Sequence, residues 1–323
     1  YTGIGRANNV VQNIDRITDM DPVLQKRLKA EARVMRAFLY NILINLYGDV
    51  PLITEPVEII ADAKKVRESK EKVFDFIVKE LDLAIPDLPP GYGQSDIGRI
   101  TKGAAYALKA RACLWQGHFK EARDAAKAVI DLGTYQLLPD YSKLFTYSTE
   151  NNIEVILDDQ YMPIHRTHNS FQQLGPRSSE GLSNYVPTRS LVDAYEPLDP
   201  RRNATILFPG DINPYEDGNQ IFDPSPGSKT PDEANVSYDA TCTGYQFKKY
   251  VLKEDRAYNT RCNINLVEIR YADVLLMFAE AENEVNATPS PAAYNAVNDV
   301  RYRARPADHK DDGTILPDLK NLS

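Results

Sequence analysis

The chain has 323 residues, of which 42% are hydrophobic and 26% are charged. This composition excludes a wholly disordered or low-complexity chain, because enough apolar surface is present to build a large core. The net charge of −8 argues against a general nucleic-acid binder, which needs a basic surface. No apolar run approaches the roughly eighteen residues of a transmembrane helix, and three cysteines cannot form a disulfide framework.

The clearest predicted helix covers residues 22–47. Asp21 offers an N-cap oxygen, and Pro22 suits the first helical position. Apolar side chains then recur every three or four residues, which indicates one buried stripe. Gly48 can take the left-handed conformation that ends a helix.

Two further helices are predicted to form a hairpin over residues 101–133. Thr101 caps the first, Gly117 permits the turn, and alanines are placed where two helices must approach closely. This pattern resembles a tetratricopeptide hairpin. A helix over 70–85, capped by Ser69, precedes it.

The later chain contains another helix pair and a region of different texture. The pair is predicted over 267–285 and 291–303. Residues 151–263 hold ten of the 21 prolines and eight of the 19 tyrosines, and they begin with a strand-like NIEVILDDQ. We therefore predict one mostly α-helical domain spanning 1–323. Helix pairs from 1–150 and 264–323 form the scaffold, and 151–263 forms a large loop-rich excursion.

Several strings in this chain are more specific than helical patterning. They are YTGIGRANNVV, EARVMRAFLYNILINLYGDVPLIT, VFDFIVKELDLAIPDLP, the hairpin up to LLPDYSKLF, EIRYADVLLMFAEAENEV and AVNDVRYRA. In this order they resemble the SusD/RagB family over about two thirds of the chain. The family's lipid-attachment cysteine and C-terminal stretch have no counterpart, so we interpret the chain as a fragment lacking both family termini.

The resemblance implies a fold, a location and a function. Members are mostly helical lipoproteins on the outer face of the outer membrane of Bacteroidota, with tetratricopeptide-like pairs as a scaffold. They capture oligosaccharide or other nutrients and deliver them to a SusC-type TonB-dependent transporter. Most have no catalytic activity, and we expect no cofactor and no nucleic-acid partner here.

Two alternatives to glycan capture stay open. One is a tetratricopeptide-type interaction scaffold that binds peptide or protein on a helical face. The other, the least favoured, is a glycan-degrading enzyme, which needs two opposed carboxylates. Asp158 and Asp159 are a poor pair because neighbours on a strand point to opposite faces. No nucleophile, metalloprotease or phosphate-binding motif occurs, so no catalytic residue is proposed.

The main candidate ligand surface lies in residues 161–185. Aromatic rings can lie under the apolar face of a sugar, while amides and guanidinium groups pair its hydroxyls. This stretch supplies Tyr161, His165, His168, Asn169, Gln172, Arg177 and Tyr185, together with Phe171, Gln173 and Asn184. The alternative is that these rings pack the loop onto the helices.

Two other segments are candidates for the same face. Tyr215 lies in 211–222, whose acidic start lacks the glycine and glutamate of a calcium-binding EF-hand and also fits a solvated loop. Asn213, Asp217, Asn219 and Phe222 accompany it. Asn8 and Asn9 near the start, and Tyr92 in the linker 91–96, complete the predicted ligand-binding set.

The remaining chemistry-bearing side chains receive structural interpretations. Trp115 and Cys113 are expected to pack in the core. Cys242 and Cys262 either pair or stay free. His165 and His168 lack the further ligands that zinc requires, so no metal site is predicted.

Overall fold

A computed structural model describes residues 1–57, 59, 64–224, 241–286 and 288–320. It is mostly helical, which confirms the predicted fold class. Its α-helices are α1 (Thr2–Asn13), α2 (Pro22–Tyr47), α3 (Lys70–Ala84), α4 (Lys102–Trp115), α5 (Phe119–Asp131), α6 (Ser170–Leu174), α7 (Arg189–Asp193), α8 (Pro200–Thr205), α9 (Tyr271–Val285) and α10 (Pro291–Ala304). Its short strands are β1 (Val50–Pro51), β2 (Arg67–Glu68), β3 (Val155–Asp159), β4 (Ile206–Leu207), β5 (Gln246–Phe247) and β6 (Leu266–Arg270).

Four predicted helix starts are confirmed by their caps, whereas the start predicted at residue 267 is wrong, because Leu266–Arg270 pair with β3 as a strand and the helix begins at Tyr271. Side-chain oxygens of Asp21, Ser69, Thr101 and Ser290 each accept a hydrogen bond from the backbone N–H three residues further on, at 2.8, 3.3, 3.0 and 3.2 Å. Each bond satisfies one of the amide groups that a helix leaves unpaired at its N-terminus.

The long helices pack as successive neighbours. α1 contacts α2, α2 contacts α3, α3 contacts α4, and α4 and α5 form the predicted hairpin with Gly117 at φ +77°. α9 then packs directly on α5, and α10 packs on α9. The chain therefore leaves the helical array after α5 and rejoins it at α9. No described helix is both long and apolar enough to cross a bilayer.

The loop-rich excursion (151–263) is joined to the array by a strand pair. β3 pairs antiparallel with β6, which leads directly into α9. The strand predicted from NIEVILDDQ is thus confirmed. Its partner β6 belongs to the predicted scaffold segment 264–323, so the strand pair joins the excursion to the scaffold. The assignment of 1–323 to a single domain stays a prediction.

A buried carboxylate strengthens the same junction. The Glu154 side chain is fully buried and accepts hydrogen bonds from Arg270 and from Arg303 of α10, both at 2.6 Å. It also accepts from the backbone N–H of Leu138 at 2.7 Å. One carboxylate therefore connects three segments that are far apart in sequence.

The excursion has a core of its own. Its buried members are Phe171, Leu207, Tyr215, Phe222, Val251 and Cys262. These side chains are separate from the larger cluster formed by the helices. The excursion is therefore organised around buried side chains as well as being joined to the array.

Two predictions about single residues have opposite outcomes. Cys113 is buried as expected, but Trp115 is 55% exposed, so its predicted core role is wrong. Trp115 is the last residue of α4, and the guanidinium of Arg111, one turn earlier, lies 5.9 Å from the centroid of its ring. Cys242 is exposed and Cys262 is buried, and both are free thiols.

Candidate functional site

Residues 161–185 are attached at their start to the segment that leads into β6. The backbone N–H and C=O of His168 both pair with Cys262, each at 2.9 Å. The backbone N–H of Tyr161 donates to the Asn265 side chain at 2.8 Å. These bonds hold the candidate surface against the strand that precedes α9.

Tyr161 and Arg166 form the tip of this segment. Tyr161 is partly buried, and its ring meets the His168 ring edge-on at 4.6 Å. The Arg166 guanidinium lies 5.1 Å from the Tyr161 ring centroid and donates to Asp159 at 3.1 Å. His165 is exposed beside them. The structure therefore places Tyr161 and His165 where a ligand can reach them.

His168 has a structural role instead. Its Nε2 bonds to the Ile264 carbonyl at 2.9 Å, and its Nδ1 accepts from the Ser170 N–H at 3.2 Å. Both ring nitrogens are occupied, so His168 cannot present one to a ligand or a metal. In the part of the chain that the structure describes, no group of three or more His, Cys, Asp or Glu could hold a metal ion.

Amide side chains around α6 form a preorganised surface. The Asn184 amide donates to Gln173 Oε1 at 2.7 Å, and the Leu182 and Asn184 N–H groups donate to the carbonyls of Gln172 and Gln173 at 2.7 and 2.9 Å. These bonds fold residues 182–185 back along α6. The Tyr185 N–H also donates to the Gln173 carbonyl, at 3.3 Å, so the backbone of Tyr185 is held beside α6 while its side chain is 63% exposed.

A second exposed tyrosine lies on the same surface. The Gln172 N–H donates to the Asn259 carbonyl at 3.1 Å, and the Asn259 amide donates to the Glu180 carbonyl at 2.7 Å. Tyr258, immediately before Asn259, is 69% exposed. We call this surface the amide patch, defined by Gln172, Gln173, Asn184, Tyr185, Tyr258 and Asn259.

Tyr258 and Asn259 are absent from the predicted site set. No local sequence signal singles them out, because the pair YN also occurs at 40–41 and 294–295, within α2 and α10. The sequence separation of more than seventy residues conceals their proximity. Asn169 and Arg177 are exposed close to the patch, and the Arg177 Nε donates to the Leu182 carbonyl at 3.3 Å.

Tyr92 approaches the base of the candidate surface from the array side. Its hydroxyl bonds with Glu31 at 2.9 Å and with the Ile100 carbonyl at 3.0 Å. Burial, with the Glu31 carboxylate as a second cause, raises the pKa of Tyr92 well above its ordinary value. It lines a cavity of about 110 Å³ with Asn151 and Asp158 among others. The hydroxyl is thus held by protein atoms, while the ring borders a small cleft.

The chain that follows the linker approaches the excursion at Gly98. A Cβ placed there would come within 2.6 Å of the Gln160 side chain, so this close approach requires glycine. Gln160 directly precedes Tyr161 and donates to both Asp158 oxygens at 2.7 and 2.8 Å. The chain just after the linker therefore lies beside the residue that precedes 161–185, and a shared ligand face for the two regions stays a prediction.

Asn8 is a correction to the predicted set. It is completely buried, its amide donates to the Ile53 and Glu55 carbonyls at 3.0 and 2.9 Å, and its Oδ1 accepts from Arg36 at 2.8 Å. It holds the segment after α2 against α1 and has no surface for a ligand. Asn9, the next residue of α1, is exposed.

Tyr215 is a second correction. It is 2% exposed, its ring meets Phe171 edge-on at 5.7 Å, and its hydroxyl donates to the Phe247 carbonyl at 3.2 Å. Burial raises its pKa far above its ordinary value. The segment 211–222 therefore supplies the core of the excursion, with Asn213 and Phe222 also buried.

Family comparisons agree with this architecture. Residues 131–316 match the model described as "SusD family", and residues 1–114 match a model described as "Starch-binding associating with outer membrane". A mostly helical chain with paired helices and a large inserted loop region thus belongs to a defined class. The chain is a member of the SusD family.

Particular relatives extend the comparison. A SusD-like protein of Bacteroides ovatus is 27% identical over 331 residues, which is 94% of this chain and 58% of the relative. A SusD-like carbohydrate-binding protein from Bacteroides fragilis has the same fold, with a TM-score of 0.83, 24% identity and coverage of 98% and 65% of the two chains. A laminarin-binding SusD-like protein is 28% identical, with a TM-score of 0.78 and coverage of 94% and 69%. The chain spans about 60% of the length of the curated relatives it matches.

Proposed function

We propose that this chain captures an oligosaccharide on the loop face built by the amide patch and the Tyr161 tip. The observation that carries the proposal is the pairing of two exposed tyrosines with amides held in place by hydrogen bonds. Such a surface offers flat apolar rings and fixed polar groups without prior rearrangement. The laminarin-binding relative supports a carbohydrate ligand.

The affinity is expected to be modest. A hydrated sugar exchanges water hydrogen bonds for protein ones, and each exchange gains about 0.5–1.5 kcal/mol. The patch also contains no tryptophan, because the only one in the chain is Trp115. Dissociation constants between roughly micromolar and millimolar follow from this argument.

The test uses laminarin oligosaccharide as the first probe, followed by a glycan array. Calorimetry should show binding that Tyr185→Ala and Tyr258→Ala each weaken by about tenfold, equivalent to about 1.4 kcal/mol. Trp115→Ala is the matched control, since it removes an equally exposed ring from the helical array. Binding of a glycan that neither tyrosine variant weakens would contradict the proposed location.

We further propose that the chain binds without cleaving its ligand. Asp158 accepts from Gln160 and Asp159 from Arg166, so both carboxylates of the strand are already engaged by protein donors. Incubation of the bound glycan with the protein should leave its chain length unchanged by mass spectrometry. Shortening of the glycan that an Asp or Glu substitution abolishes would overturn this proposal.

Delivery to a SusC-type TonB-dependent transporter at the cell surface is the remaining part of the proposal. It rests on family membership and on the outer-membrane description of the model matching residues 1–114. Co-purification of the complete lipoprotein with a TonB-dependent transporter, together with protease accessibility on intact cells, tests it. A protein that is shielded in intact cells and purifies alone would contradict it.

A further inference from the structure

One face of α10 holds a non-helical segment of the same chain by its main-chain atoms. Asn298 donates from its amide to the Leu319 carbonyl at 3.2 Å and accepts from the Leu319 N–H at 2.8 Å. Arg301 Nε donates to the Pro317 carbonyl at 2.9 Å. Arg305 donates to the Leu316 carbonyl from Nε and Nη2 at 3.1 and 3.0 Å.

The three recognising side chains share a helix face. Residues 298, 301 and 305 have the spacing i, i+3 and i+7, which places them along one stripe of α10 and its C-terminal extension. Their partners are three carbonyls and one N–H, groups that every peptide carries. The three side chains therefore bind main-chain groups of the segment, and main-chain hydrogen bonds also contribute to known modes of peptide recognition.

Side chains of the bound segment add selectivity. Ile315 and Leu316 are 7% and 1% exposed and pack with Ala304. Asp318 forms an ion pair with Arg305. The recognised pattern is two apolar residues, proline, an acid and an apolar residue. We call residues 315–319 the strap.

The surface continues beyond the strap. A cavity of about 700 Å³ lies between α9 and α10 and is lined by Leu276, Asn283, Val297 and Leu319 among others. Leu276 is 42% exposed there. Apolar and amide groups thus extend the recognition face past the last strap residue.

We propose that this face of α10 is a peptide-binding site occupied internally by the strap, and that it accepts in trans a peptide with the strap's side-chain pattern. The connection from α10 to the strap includes the exposed residues 311–314. A tethered segment competes at an effective concentration of the order of millimolar. A trans peptide binds weakly until the strap is released. The proposal is independent of glycan binding.

The test measures fluorescence anisotropy of a labelled peptide with the sequence of residues 314–320, TILPDLK, against the full chain. Leu316→Asp releases the strap but leaves the recognising side chains intact, so the peptide should bind at least about tenfold tighter than to the parent. Adding Asn298→Ala should remove that gain. Asn13→Ala is the matched control, since the amide of Asn13 bonds only within α1.

A second measurement keeps the test decisive if Leu316→Asp fails to fold. In the parent chain, Asn298→Ala should raise hydrogen exchange at the Leu319 amide at least about tenfold, and Asp318→Asn should raise peptide affinity. Faster exchange without peptide binding by any variant would overturn recognition in trans. Unchanged exchange in Asn298→Ala would overturn the assignment of the strap contacts.

Discussion

The helical array and the loop-rich excursion achieve order by different means. The array buries many small side chains in repeating positions, such as Ala104, Ala112 and Ala126, all fully buried. The excursion buries three large rings, Phe171, Tyr215 and Phe222, and several of its loops are held by bonds between side chains and backbone. In the array, small residues at repeating positions let neighbouring helices pack closely. In the excursion, each contact depends on one particular pair of residues.

Backbone conformation shows the same contrast. Among the described residues, eight other than glycine have positive φ, and seven of them lie between Asn151 and Tyr250. The eighth, Leu316, belongs to the strap. Non-glycine residues in this region carry strain that surrounding contacts must maintain. The candidate ligand surface and the strap are therefore held by tertiary contacts rather than by local preference.

The largest expected effect comes from breaking the junction of the two regions. Glu154→Gln removes the charge that neutralises Arg270 and Arg303, leaving cations in a buried site. The free energy of unfolding, measured with urea, should fall by about 3–5 kcal/mol. Asp131→Asn, which loses the exposed partner of Lys127, is the control and should cost less than about 1 kcal/mol. Equal effects would show that Glu154 is not buried between the regions.

Periodicity and capping explain why the array could be predicted from sequence. The helix starting after Asp21 and the hairpin around Gly117 depend on residues close together along the chain. The turn predicted at Gly117 lies two residues after Trp115, the last residue of α4. Caps, turn glycines and the spacing of apolar residues are therefore enough to predict the helices of the array from the sequence.

The candidate site could be predicted only in part. The composition of 161–185 predicts a ligand contact at Tyr185, whose ring is exposed, but no pattern distinguishes the buried Asn8 from the exposed Asn9. Asn8 is buried because Arg36, 28 residues away, donates to it. Tyr215 is buried because its partner is the Phe247 carbonyl. Such long-range pairings leave no trace in composition.

A medium effect is expected from overpacking the array. Ala126→Leu adds three carbons at the fully buried face between α4 and α5. The loss in unfolding free energy should be about 1–3 kcal/mol, and Ala112→Leu should behave similarly. The loop face should keep its affinity for laminarin oligosaccharide. Unchanged thermal stability in both variants would show that the hairpin is not closely packed.

A pH-dependent effect is expected beside the excursion core. Lys249 lies 4.1 Å from the centre of the Phe145 ring, and burial lowers the pKa of its ammonium group to about 8. Because the unfolded chain keeps this proton to higher pH, stability should rise as the pH increases above about 8. Lys249→Met removes the charge, so its advantage over the parent should be greatest near neutral pH.

The size and control of this effect follow from the same pKa. Solvent screening of the partly buried side chain limits the advantage of Lys249→Met to about 1–2 kcal/mol at pH 7. It should shrink between pH 8 and 9.5, measured by urea unfolding. Lys127→Met, at an exposed ion pair, should show no such change relative to the parent. A constant difference at all pH values would contradict the shifted pKa.

The smallest effect concerns Trp115, where sequence and structure disagree. Core packing would make Trp115→Ala cost about 3–5 kcal/mol, but an exposed ring whose contact is Arg111 should contribute only about 0.5–1 kcal/mol. Because this is the only tryptophan, its fluorescence reports one position. Emission should resemble that of solvated indole and be quenched efficiently by iodide. Blue-shifted emission that iodide does not quench, together with a large loss of stability, would show that Trp115 is buried. The C-terminal end of α4 would then have to be rotated about the helix axis.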